Sequence, residues 1–144
     1  METLVSAILL WLSVNFSLPA DVDHPRIEFA DPTHIATLHH GIENVASLHP
    51  DRMSTVVAGY IRDQNTVLLP TGWTGGDAAE LSVLVHELVH HLQEVADLRY
   101  ECPQAREALA YKAQDAWLGL FGSDLFQAFG IDPFTRLVRT SCGY

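Results

Sequence analysis

An α+β fold is predicted by three features of the chain: two short β-rich runs joined by a tight turn, a long helix-period segment after them, and a second, alanine-rich helical segment. The β-rich runs are STVVAGYIR and TVLLP, and Asp63-Gln64-Asn65 between them reads as a hairpin turn. The first helical segment follows Asp77 through LSVLVHELVHHLQEVAD, and the second is PQAREALAYKAQDAWLGLF. With 48% hydrophobic residues, positions 1–144 read as one domain around one core, and no repeat or low-complexity linker divides them.

Taken in order, METLVSAILLWLSVNFSLPA has an apolar centre and ends in Pro-Ala. Glu2, the lack of Lys or Arg, and bulky Leu18 count against a secretory signal, so the segment reads as a helix packed on the sheet in a soluble, cytoplasmic protein; export with cleavage near Ala20 is the alternative. Its apolar stretch is too short for a stable membrane span. PRIEFA then reads as a short strand, and Asp31-Pro32 opens a helix through about His40. Gly72, Gly75 and Gly76 around Trp73 read as a simple loop, with a flap as the alternative. Asp77 is the expected N-cap of the long helix, with Glu80 completing an Asp version of the capping box. Leu81, Leu84, Val85, Leu88, Leu92 and Val95 recur at helical spacing. Pro103 suits the first turn of the second helix, where Glu107, Tyr111, Gln114 and Leu118 share a face and Ala105, Ala108, Ala110 and Ala113 permit close approach. Asp132 and Pro133 open a last short helix in DPFTRLVRTSC. Cys102 and Cys142, the only cysteines, are either one disulfide or two buried thiols.

The chemistry centres on His86-Glu87-Leu88-Val89-His90. On a helix, positions i and i+4 share a face, so both imidazoles reach one metal ion, while Glu87, turned by about 100°, flanks it as a base rather than a ligand. In a chain with 8 histidines, chance places this pattern only roughly 0.02 times, so coincidence is a poor explanation. Zinc wants three protein ligands and an open position, so a third ligand is needed. Position 96 is Ala96 and position 93 is Gln93, which removes the pattern with a third histidine on the same helix. Glu94 lies about 12 Å along the axis from His86, too far for bonds of about 2 Å. Glu107 is the better candidate, with a solvated helix carboxylate as its plain alternative and Glu101 and Asp97 as rivals. His24, His34, His39, His40 and His49 read as surface or capping residues; His91 points off the ligand face, and Gln93 lies nearer to it.

LVHELVHHLQ followed by YECPQAREALAYKAQDAWL resembles the gluzincin type of zinc metallopeptidase, in which a glutamate from a following helix completes the site. It is more similar still to an uncharacterised bacterial family of short metallopeptidase-like proteins, where a strand ending near LLPTGW precedes the His-Glu helix and a Glu-x-x-x-Tyr segment follows. The similarity covers most of residues 54 to 118. It implies a zincin-like fold, one Zn²⁺ held by His86, His90 and Glu107, and Glu87 as general base for peptide hydrolysis. It also implies a strand bordering the cleft, where an extended peptide can add, with a core hairpin that makes no substrate contact as the plain alternative. Many gluzincins carry an Asp four residues after the ligand Glu; this chain has Tyr111, with Asp115 or Gln114 as substitutes for orienting a ligand imidazole. Tyr111 and His91 are the candidate oxyanion donors.

A net charge of −10 with only 8 Lys and Arg argues against nucleic-acid binding and favours cationic or neutral peptide or protein substrates. The competing function is a zinc-stabilised binding or regulatory protein without turnover. Glu87 separates the two, because a structural site fills its four positions and has no use for a non-ligand carboxylate.

Overall fold

Five consecutive buried residues, Thr66–Pro70, form β3, the central strand of a three-stranded sheet. Burial on both faces is why TVLLP reads as a continuous apolar run rather than an alternation. In the computed structural model, which describes residues 1–37 and 58–143, β1 (Arg26–Ala30) lies parallel to β3, pairing Ile27 with Val67 and Phe29 with Leu69. On the other side β2 (Gly59–Ile61) lies antiparallel, pairing Tyr60 with Val67. The architecture is α+β, a small sheet with several helices.

The hairpin expected at Asp63-Gln64-Asn65 is present. A 3₁₀ turn, Arg62–Gln64, leads to Asn65 at φ 48°, a left-handed conformation that asparagine tolerates. The Tyr60 hydroxyl donates to Asn65 Oδ1 at 3.0 Å across the turn. The expected first β-run is described only from Ala58 onward; its earlier residues, the end of the helix expected to reach His40, and His39, His40 and His49 lie outside the described residues. The described part of that helix, α2 (Pro32–Thr37), begins at the predicted place.

α3 (Ala78–Val95) is buried at every position from Ser82 to Gln93, so it is the spine of the core rather than a surface helix with one apolar face. Leu84, Leu88 and Leu92 are fully buried, each contributing about 1.5–3 kcal/mol by removal from water. Asp77 caps α3 as expected, its Oδ1 accepting from the Glu80 amide at 2.7 Å. The second half of the capping box is not formed. Glu80 instead accepts from the Thr74 amide at 2.9 Å and from the Thr74 hydroxyl at 3.3 Å, because the preceding loop folds back over the helix start. That loop is pinned rather than free as a flap: Trp73 is nearly buried and its Nε1 donates to the Glu80 carbonyl at 2.9 Å. Gly75, at φ 72°, lies so close to Trp73 that a Cβ there would sit 3.0 Å from the indole.

α1 (Glu2–Phe16) buries Val5, Ile8, Leu9 and Leu12 at helical spacing. It packs against α3, Trp11 meets Trp117 of α4 (Pro103–Gly119) edge-on with ring centroids 5.2 Å apart, and its buried residues share one core cluster with Tyr60 and Val67 of the sheet. In α4, Ala110 and Ala113 are fully buried and allow the close approach to α3, whereas Ala108 is exposed and takes no part. Glu107, Tyr111, Gln114 and Leu118 share one face of α4 as expected, and that face is buried, so Glu107 is not the solvated carboxylate of the alternative reading.

Two short helices complete the described chain, α5 (Leu125–Phe129) and α6 (Pro133–Thr140), capped by Asp124 and Asp132. None of α6 is buried. It is held along α4 by polar and covalent links: Arg139 donates to the Tyr111 hydroxyl at 3.1 Å, and Cys142 is disulfide-bonded to Cys102 with a Cα separation of 5.8 Å. No described helix is long and apolar enough to cross a membrane.

Candidate metal centre

Helical spacing on α3 brings the two imidazoles together, their ring centroids 5.0 Å apart. The close crossing of α4 then delivers a carboxylate to both. Glu107 Oε1 lies 2.9 Å from His86 Nε2 and 3.0 Å from His90 Nε2. The three residues form a buried group whose donor atoms lie within 4.8 Å of one another and could hold a metal ion. His86 and His90 are fully buried, and Glu107 is 9% exposed, so Glu107 marks the side from which solvent comes nearest.

Size is a test of fit. Tetrahedral bonds of about 2.0–2.2 Å put neighbouring donor atoms about 3.3 Å apart, so the two Glu107–imidazole distances are within about 0.3–0.4 Å of those around an ion. Donor chemistry agrees: two imidazole nitrogens and one carboxylate oxygen are a zinc-type set. Glu101 and Asp97, the rival third ligands, are both exposed, and Asp97 lies 3.7 Å from Arg99. Glu94 pairs with Arg62 at 2.9 Å and lies 3.7 Å from Arg106.

Electrostatics within the group are strongly coupled. Burial alone would raise the Glu107 pKa, but His90 and His86 outweigh it and hold the carboxyl down at about 2. Burial would also lower the His86 pKa, yet Glu107, with smaller help from Glu87 and Gln114, leaves it raised above 6.5. Glu87 is fully buried, close enough to His86 and Tyr111 to act on both electrostatically, and outside the ligand group. The Tyr111 ring stands edge-on to His86 at 4.8 Å, and burial, reinforced by Glu107, pushes its phenol up to about 12, so it keeps its proton. His91 faces away, as expected. Its Nε2 donates to the Asp23 carbonyl at 2.8 Å and its Nδ1 meets the Tyr60 hydroxyl at 3.0 Å, so the candidacy of His91 as an oxyanion donor fails, both ring nitrogens being engaged on the sheet side.

Around the two imidazoles sits a shell of amides. Gln114 Oε1 lies 2.8 Å from His86 Nδ1, and Gln93 Oε1 lies 2.7 Å from His90 Nδ1. Asp115, the alternative to Gln114, is engaged elsewhere: it accepts from the Leu125 amide at 3.0 Å and lies 3.6 Å from Arg136. Ser82, Tyr100 and Arg106, which support the two glutamines, carried no sequence signal for that role beyond Ser82 lying one helical turn before His86.

Residues 1–126 match a family described as a domain of unknown function, DUF6647, over most of the chain. The chain belongs to the DUF6647 family. The DUF6647 region takes in both histidines, Glu87, Glu107 and both glutamines, whereas α6 and Cys142 lie beyond it. No curated protein matches the chain, and no solved structure does.

Proposed function

We propose that the chain is a zincin-like, zinc-dependent hydrolase of peptide bonds, with His86, His90 and Glu107 as ligands and Glu87 as general base. The observation that carries this reading is the meeting of both imidazole Nε2 atoms at a single Glu107 oxygen, from a separate helix, beside a non-ligand carboxylate. Zinc held there would polarise a scissile carbonyl and bring the pKa of a water down to about 7.

The chain's own residues supply the remaining work. Glu87, buried beside His86, accepts the proton of the attacking water and hands it to the leaving amine. Tyr111 retains a phenolic proton on the same side of α4 as Glu107 and is the donor available to a developing oxyanion. The Cys102–Cys142 bond favours an oxidising compartment over the cytoplasmic location suggested by the leader.

Complete burial of His86, Glu87 and His90 favours a second reading, a zinc site that stabilises a binding protein without turnover. Zinc content and hydrolysis of a peptide library by wild type, Glu87→Gln and Glu107→Ala distinguish the two. Hydrolysis predicts that Glu87→Gln retains zinc and loses turnover while Glu107→Ala loses zinc. Zinc-loaded wild type with no activity on any peptide, matched by Glu87→Gln, supports the structural role instead.

A further inference from the structure

Backbone carbonyls can only accept hydrogen bonds, and two of them fix the direction of every proton in the shell around the imidazoles. Beside His90, the Arg106 carbonyl lies 3.0 Å from Gln93 Nε2, so the amide NH₂ of Gln93 points there and toward the Tyr100 hydroxyl, also at 3.0 Å. Gln93 Oε1 is thereby turned to His90 Nδ1 at 2.7 Å, and a carbonyl oxygen accepts only from a protonated nitrogen. Beside His86 the chain is one link longer. The Ser82 hydroxyl donates to the Ala79 carbonyl at 2.7 Å, so Ser82 Oγ accepts from Gln114 Nε2 at 3.2 Å, and Gln114 Oε1 faces His86 Nδ1 at 2.8 Å. Both imidazoles carry hydrogen on Nδ1, and both Nε2 atoms face Glu107 Oε1.

We propose that Gln93 and Gln114 are positioning residues that lock both ligand imidazoles as Nδ1–H donors with uncharged acceptors. This rests on the metal-centre reading above and adds a consequence for its charge. With Glu107 as the only anionic ligand, a divalent ion and its three ligands carry one net positive charge, and neither orienting group adds a carboxylate to the one that Glu87 already holds beside His86. A carboxylate in either place would make its imidazole a stronger donor and hold the ion more tightly. The amides hold geometry without that added charge, which leaves the ion a stronger electrophile and more easily exchanged.

The test uses the full chain with zinc alone. Two-bond ¹H–¹⁵N correlation spectra of the zinc-loaded protein should show Nε2 coordinated and Nδ1 protonated at both His86 and His90. Gln93→Leu should move only the His90 signals and Gln114→Leu only those of His86, each weakening zinc binding about 10–100-fold in chelator competition. Gln114→Glu, which restores an acceptor that the Ser82 hydroxyl can turn to meet, should bind zinc at least as tightly as wild type. Wild-type affinity in both leucine variants with unmoved Nδ1–H signals overturns the positioning role and leaves the metal centre standing. A wild type that takes up no zinc overturns both. If a leucine variant does not fold, the wild-type spectrum and Gln114→Glu decide: Nδ1 coordination at either histidine, or weaker binding by Gln114→Glu, overturns the proposal.

Discussion

Glu107→Gln removes one charge from the metal-free protein while keeping the volume of the side chain, and the structure sets the size of the effect. The folded carboxyl is held at about 2 against an ordinary 4.5, and at about 1.36 kcal/mol per pKa unit this is about 3 kcal/mol of stability. The depressed pKa fixes the sign. That stability is present above 4.5 for as long as the imidazoles that hold the carboxyl down are charged, and it is lost as pH falls from 4.5 toward 2, where the carboxyl protonates in the folded state as well. The same order of magnitude follows from breaking a buried ion pair, about 3–5 kcal/mol. Urea unfolding of chelator-treated wild type and Glu107→Gln at a series of pH values reads both quantities. The variant should be less stable by about 3 kcal/mol near neutrality, and the difference should close on approach to pH 2. Equal stability at pH 7, or an acid limb of the same steepness in both proteins, refutes the assignment of Glu107 to the two imidazoles.

Zinc must displace the proton that His86 holds above its ordinary pKa, so affinity should fall about tenfold per pH unit for each proton displaced as pH drops below that range; competition against a chelator of known pH dependence checks this, and a flat profile contradicts it. Reducing or deleting the Cys102–Cys142 bond opens a loop of 40 residues and should cost about 4 kcal/mol in denaturant unfolding; no loss would mean that α6 contributes no constraint. Asp77→Ala removes an N-cap bond of 2.7 Å and should lower stability by about 1 kcal/mol without altering zinc affinity; a matching loss of zinc would show that the cap and the metal ligands are coupled.

What the sequence made legible was local. The α3 helix announces itself by apolar spacing and by Asp77, and the β2–β3 turn by Asp63-Gln64-Asn65 between two β-rich runs. Glu107 was legible as sharing a face of α4 with Tyr111 and Gln114, whereas the burial of that face and its choice over Glu101 and Asp97 required the helix crossing. The shell around the imidazoles was not legible. Gln114 meets Ser82 across 32 positions, and no periodicity within either helix fixes which residues face each other where two helices cross. Glu80 shows the same limit at short range: the Asp77 and Thr74 amides both lie within reach in sequence, and the folding back of the Trp73 loop decides between them. The place of α1 was not legible either, since its apolar stripe fits any apolar surface and only the fold brings Trp11 onto Trp117.

Zinc K-edge X-ray absorption on protein loaded at one equivalent tests the central claim most directly. A single zinc per chain with two imidazole nitrogens at about 2.0–2.1 Å and oxygen at about 2.0–2.2 Å is the predicted spectrum, with the carboxylate contribution lost in Glu107→Ala. Failure of the chain to retain one equivalent of zinc, or a spectrum with fewer than two imidazoles, would contradict a centre built from His86, His90 and Glu107.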